Sequence, residues 1–109
     1  MTFVTVADAS ELTDDLPLAV DVDDELSVAI VRHRGQLFAI EDECSHGNVP
    51  LSEGDVEEGT IECYLHGSRF DLATGKVLNL PATQPVRVFP VRLEGEKIQV
   101  DPHTTTADF

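Results

Sequence analysis

The sequence predicts an all-β protein with an antiparallel β-sandwich body. Three observations carry this: apolar runs are short and closely spaced, Gly and Pro punctuate them, and sustained helical periodicity is nearly missing. Thr2 to Val6 reads as a first strand. Asp8 to Leu16 is the one place for a short helix, with Asp8 or Ser10 as N-cap before Pro17 interrupts it. Leu18 to Val22 and Leu26 to His33 follow as strands, and Arg34-Gly35 turns tightly into Gln36 to Glu41. Both faces of this hairpin carry apolar residues, so it belongs in the centre of a sheet. Val28, Ile30, Phe38 and Ile40 are assigned to one face, Ala29, Val31, Leu37 and Ala39 to the other.

Residues 42 to 85 differ in character: they hold five of the seven glycines and three of the six prolines, and their strand runs are very short. Val86 to Leu93 and Lys97 to Val100 then form a second hairpin around Glu94-Gly95-Glu96. Phe89, Val91, Leu93, Ile98 and Val100 fall on its core side. Asp101 to Phe109 is polar and reads as a frayed tail. No repeat or linker divides the chain, so residues 1–109 read as a single domain. Its loop-rich subdomain, at about 42–85, is inserted between hairpins.

Charge narrows the partners. Twenty-one acidic against seven basic residues leave a net charge of −14. Nucleic acid is excluded as a partner, because phosphate binding is driven by Lys and Arg releasing counterions. An anionic membrane would repel the chain for the same reason. The apolar runs are too short to cross a bilayer. Met1 to Ser10 has neither the basic nor the apolar region of a signal peptide, so the cytoplasm is the expected compartment. The acidic cluster Asp21, Asp23, Asp24 and Glu25 reads as a solvated loop, or as a means of steering toward a basic partner.

The loop-rich insertion holds both cysteines and two of the four histidines: Cys44-Ser45-His46, then Cys63-Tyr64-Leu65-His66. Each segment supplies one soft thiolate and one imidazole, followed at once by Gly47 or Gly67. Two thiolates and two imidazoles suit either one tetrahedral zinc or a two-iron cluster in which two histidines replace two cysteines on one iron. A Cys44–Cys63 disulfide flanked by surface histidines is the plainest alternative. His33, at a strand end, and His103, in the tail, read as solvated residues rather than ligands.

The pattern C-x-H then C-x-x-H, at Cys44, His46, Cys63 and His66, resembles the Rieske [2Fe–2S] motif. So does the text around it: Cys44-Ser45-His46-Gly47-Asn48-Val49-Pro50-Leu51-Ser52, and His66-Gly67-Ser68-Arg69-Phe70-Asp71 running to Thr74-Gly75. Pro81-Ala82 is similar to the family's proline loop. The resemblance spans nearly the whole chain and is closest to the small Rieske ferredoxins. It implies one [2Fe–2S] cluster per chain, with Cys44 and Cys63 on the inner ferric ion and His46 and His66 on the outer one. It also argues against zinc, since no histidine-bearing helix is readable here.

The same resemblance implies a redox range. High-potential relatives place a serine and a tyrosine hydroxyl on the cluster sulfurs and brace the two loops with a second cysteine pair. Here Ser68 matches the serine, Phe70 stands at the tyrosine position, and no further cysteines exist. Fewer donors and an acidic protein both oppose adding an electron. The expected potential therefore lies in the lower half of the roughly −150 to +300 mV Rieske range.

Function follows by elimination. A terminal oxygenase needs a mononuclear iron held by two histidines and a carboxylate, but only His33 and His103 remain. No Gly-rich βαβ unit for a flavin or nicotinamide is present, so the chain is no reductase. What remains is a one-electron carrier, not an enzyme, and a monomer is the expected state. The resemblance supplies its partners: a flavoprotein reductase and a non-haem iron terminal oxygenase, docking briefly near His46 and His66. An association with iron–sulfur cluster assembly, or a zinc-stabilised interaction module, are the other readings.

Overall fold

The computed structural model describes residues 3–24, 26–44, 49–65, 67–79 and 84–104. Ten strands run in order: β1 (Val4–Asp8), β2 (Leu18–Asp21), β3 (Ser27–His33), β4 (Gln36–Glu41), β5 (Val56–Glu57), β6 (Thr60–Glu62), β7 (Arg69–Asp71), β8 (Val88–Phe89), β9 (Val91–Glu94) and β10 (Lys97–Val100). The helical content described is two single 3₁₀ turns, Ala9–Glu11 and Leu51–Glu53.

These strands make three antiparallel sheets, ordered β2-β3-β4-β8, β1-β10-β9 and β5-β6-β7. The four-stranded sheet lies between two apolar clusters. One face sends Val28, Ile30 and Ala39 toward Phe89, Ile98 and Val100. The other sends Ala29, Val31 and Ile40 toward Leu51, Ile61, Phe70, Leu72 and both cysteines. The central position expected for the β3–β4 hairpin is thus observed, with Arg34 and Gly35 both at positive φ (54° and 79°) in its two-residue turn.

That turn also corrects the assignment of faces. A two-residue loop sets His33 opposite Gln36, hence Val31 opposite Phe38 and Ala29 opposite Ile40. Directly opposed residues share a face. Phe38 and Ile40 therefore side with Ala29 and Val31, not with Val28 and Ile30.

The helix expected over Asp8 to Leu16 is reduced to the 3₁₀ turn Ala9–Glu11, with Asp8 at its N-cap and the Asp8 N–H held by Glu11 (2.8 Å). Distant partners claim two of the segment's N–H groups: Ala9 N–H donates to Glu96 C=O (2.8 Å) and Asp15 N–H to Arg32 C=O (2.8 Å), while Leu16 N–H closes onto Thr13 C=O (3.1 Å). The first strand runs over Val4–Asp8, two residues past its expected end at Val6; Thr2 lies outside the described residues.

The strand expected over Val86 to Leu93 breaks at Pro90. Before it, β8 pairs with β4; after it, β9 pairs with β10 in a different sheet. Proline has no N–H to give a ladder, so it marks the place where the chain changes sheets. Phe89, Ile98 and Val100 are buried as expected, whereas Leu93, on the edge strand β9, is 49% exposed. The tail is not frayed at its start: Asp101 is fully buried, its N–H on Pro90 C=O (3.1 Å) and its Oδ1 accepting the His103 N–H (3.0 Å). His103 itself is exposed, as expected.

Candidate metal centre

The two cysteine segments are built alike. Cys44, three residues beyond β4, donates its backbone N–H to the carbonyl of Val49 at 2.9 Å; Cys63, next after β6, donates to the carbonyl of Ser68 at 2.7 Å. Each cysteine thus opens a loop closed onto the residue five positions ahead. His46 falls within the first loop by chain position and His66 within the second. Ser45, His46, Gly47, Asn48, His66, Pro81 and Ala82, and with them the proline-loop resemblance, lie outside the described residues.

Both loops are braced from behind. Asp42 accepts the Ser52 N–H (2.7 Å) and hydroxyl (2.8 Å), tying the start of the first loop to the 3₁₀ turn after it. In the second loop, Gly67 at φ +80° donates its N–H to Cys63 C=O (3.0 Å), a backbone turn a side chain would oppose. Gly54 lets the two segments meet: a Cβ there would stand 1.6 Å from the Glu62 carbonyl oxygen. Arg69, at the head of β7, pairs with Glu62 (3.4 Å) and donates to Thr60 Oγ1 (3.2 Å), locking β7 onto β6.

Burial separates the two kinds of position. Cys44 and Cys63 are 2% and 1% exposed, in one apolar cluster with Leu51, Ile61 and Phe70. Tyr64 and Leu65, next along the second loop, are 53% and 46% exposed. The loop turns its sulfur inward and its tip outward. No disulfide joins the cysteines, which removes the plainest alternative. Buried soft thiolates at the base of two closed loops fit a mixed sulfur–nitrogen iron centre. Ser68 is buried (1%), and Phe70, fully buried, brings no hydroxyl to this region.

Sequence reasoning missed His33. It is buried rather than solvated: Nδ1 donates to Asp15 Oδ1 (2.6 Å), and Nε2 accepts the N–H of Gly59 (2.9 Å) in the β5–β6 turn. Gly59 C=O in turn accepts the Leu72 N–H (3.0 Å). His33 therefore ties the small sheet that carries the second loop to the end of β3. It is a brace and not a ligand.

A model of the Rieske [2Fe-2S] domain family matches residues 2–90. The 3-phenylpropionate/cinnamic acid dioxygenase ferredoxin subunit of Escherichia coli (strain K12) is 45% identical over 84 residues, 76% of this chain and 79% of that protein. The ferredoxin of carbazole 1,9a-dioxygenase from Nocardioides aromaticivorans IC177 superposes with a TM-score of 0.86 at 38% identity, covering 94% of this chain and 99% of that one. A complex of reduced oxygenase and oxidized ferredoxin in carbazole 1,9a-dioxygenase contains a chain that matches at a TM-score of 0.83 and 33% identity, over 90% and 91% of the two chains. With buried thiols at the base of matched loops and a family model spanning most of its length, this chain belongs to the Rieske [2Fe–2S] family, as an electron-transfer ferredoxin that carries a [2Fe–2S] cluster.

Proposed function

We propose that this ferredoxin takes one electron from an NAD(P)H-dependent flavoprotein reductase and passes it to a non-haem iron terminal oxygenase. Two closed loops of equal size, each opening on a buried cysteine, carry this reading. In it, Cys44 and Cys63 would ligate one iron of the cluster, and His46 and His66 the other. When bound, the cluster supplies a site that gains and loses one electron. The chain's own residues do the rest. The apolar cluster keeps water from the sulfurs, and the backbone closures at Val49 and Ser68 fix each loop at its base.

Partners meet that tip. Tyr64, Leu65 and Leu78 are large apolar side chains left half exposed around the second loop. A patch of this size suits a brief encounter that buries less than about 1,200 Å². The acidic surface favours a basic partner and makes the approach salt-dependent. We read the chain as one Rieske domain over residues 1–109, its cluster-binding part at about 42–85, working as a monomer in the cytoplasm. Two cysteines without a disulfide between them accord with a reducing compartment. Among the described residues no helix is long and apolar enough to cross a membrane.

Anaerobic reduction followed by EPR tests the cluster and its ligands. Mixed histidine and cysteine ligation gives a spectrum unlike that of an all-cysteine cluster, and metal analysis should find iron and acid-labile sulfide in equal amounts. A colourless protein silent after dithionite would overturn the reading. Single-turnover oxidation of the reduced ferredoxin by a terminal oxygenase tests the partner, and the rate should fall as salt is raised.

A further inference from the structure

Beyond the second loop, the chain returns alongside β7. Val77 bridges Phe70, and Leu78 donates its N–H to Arg69 C=O at 2.8 Å. At Asn79 the side chain takes over from the backbone. Its Oδ1 accepts the Arg69 N–H at 2.6 Å, and its Nδ2 donates to Gly67 C=O at 3.0 Å. One partner is a donor and the other an acceptor, so the network itself fixes which end of the amide is oxygen.

We propose that Asn79 is a positioning residue for the cluster: its amide holds the Gly67–Ser68 peptide, one residue beyond His66, and so fixes how the second loop presents its ligands. This rests on reading His66 as a ligand. Gly67 is the residue with the greatest torsional freedom in the loop, and it sits at φ +80°. Its N–H is held by Cys63 C=O and its carbonyl by Asn79, so both polar groups are engaged. The peptide is planar, so holding the Gly67 carbonyl also sets the direction of the Ser68 N–H. Ser68 is buried, and its carbonyl closes the loop onto Cys63. A single side chain therefore governs the backbone from the Gly67 carbonyl to the loop closure at Ser68.

N79A and N79D test this in the cluster-bound protein. N79A removes both bonds; N79D keeps the acceptor for Arg69 and turns an oxygen toward the Gly67 carbonyl. Both should broaden the EPR features of the reduced protein, as the loop samples more than one arrangement. Both should also speed cluster bleaching by a chelator roughly three- to tenfold, the scale of one lost hydrogen bond. N79D with a wild-type linewidth and bleaching rate would overturn the proposal, because the bond to Arg69 alone would then suffice. A wild-type spectrum in N79A would do the same.

If N79A does not hold the cluster, N79D decides by the same linewidth. If neither holds it, N79Q, with both polar ends on a longer arm, decides. Cluster retention there supports the proposal; loss in all three overturns it. H66A keeps Asn79 and separates the two readings. If H66A retains the wild-type reduced spectrum, the ligand assignment fails. If H66A loses it while N79D does not differ from wild type, only the positioning role fails.

Discussion

The ring Nε2 of His33 accepts a hydrogen bond from the backbone N–H of Gly59 at 2.9 Å, joining the end of β3 to the turn of a sheet that begins more than twenty residues later. This requires Nε2 to be unprotonated, which places the proton on Nδ1, where it is donated to Asp15. H33A removes both bonds and leaves the Gly59 N–H without its partner. The expected cost is about 1–3 kcal/mol of unfolding free energy, with faster cluster loss. Denaturant unfolding of the cluster-bound protein checks it; a cost under about 0.5 kcal/mol would mean that water replaces the ring at no loss.

Gly75 and Gly95 separate two reasons for glycine. Both have positive φ, +77° and +64°. A Cβ on Gly95 would meet open space, so G95A should cost only the backbone strain, about 1–2 kcal/mol. A Cβ on Gly75 would stand 2.0 Å from the Val86 carbonyl oxygen, on a residue whose own carbonyl accepts the Val86 N–H. G75A should therefore pull the 71–76 turn off Val86 and leave little cluster-bound protein. Comparing visible absorbance per chain in the two variants checks the contrast.

How much of this was legible depended on sequence distance. The Arg34-Gly35 turn, the Gly75 turn and the two Cys-His segments are local patterns, and their residues are contiguous in the chain. The register of β4 is local too, because a two-residue loop sets His33 opposite Gln36. His33 was not, because its partners lie 18 and 26 residues away and nothing in Arg32-His33-Arg34 hints at them. Asn79 escaped for the same reason: its side chain reaches back ten residues to Arg69 and twelve to Gly67. The helix expected after Asp8 failed because long-range partners outbid local propensity for the same N–H groups.

Phe70 fixes an expectation for the potential. It is fully buried in the cluster that holds both cysteines, at the position where high-potential relatives carry a tyrosine. F70Y adds a hydroxyl there and should raise the midpoint potential, from a wild-type value in the lower half of the roughly −150 to +300 mV range. Stability should fall by about 1–3 kcal/mol if the core must shift to admit the extra atom. Protein-film voltammetry on both proteins checks the direction. A wild-type potential near the top of the range would show that other donors compensate for the missing hydroxyl.

The β1-β10-β9 sheet carries two charges whose contributions should vanish at opposite ends of the pH scale. Lys97 donates to Asp8 Oδ2 at 2.9 Å, and this bond, with the carboxylate's charge, raises the lysine above its ordinary value. A raised base stabilises the fold below its unfolded pKa, and the benefit is lost as pH rises through the folded one. At the other end of β10, burial pushes the Asp101 carboxyl up, but hydrogen bonds from the His103 N–H and the Thr104 hydroxyl, together with nearby positive charge, hold the carboxyl below its ordinary value. A lowered acid stabilises above its unfolded pKa and loses that benefit as pH falls through the folded one. The stability gap between wild type and K97M should therefore be full at neutral pH and close only above about pH 10.4. The gap between wild type and D101N should be full at neutral pH and close only below about pH 3.9. Hydrogen exchange at the β9–β10 amides, read as a difference between variants at each pH, isolates these terms from acid loss of the cluster. A D101N gap that widened toward acid would reverse the sign assigned to Asp101.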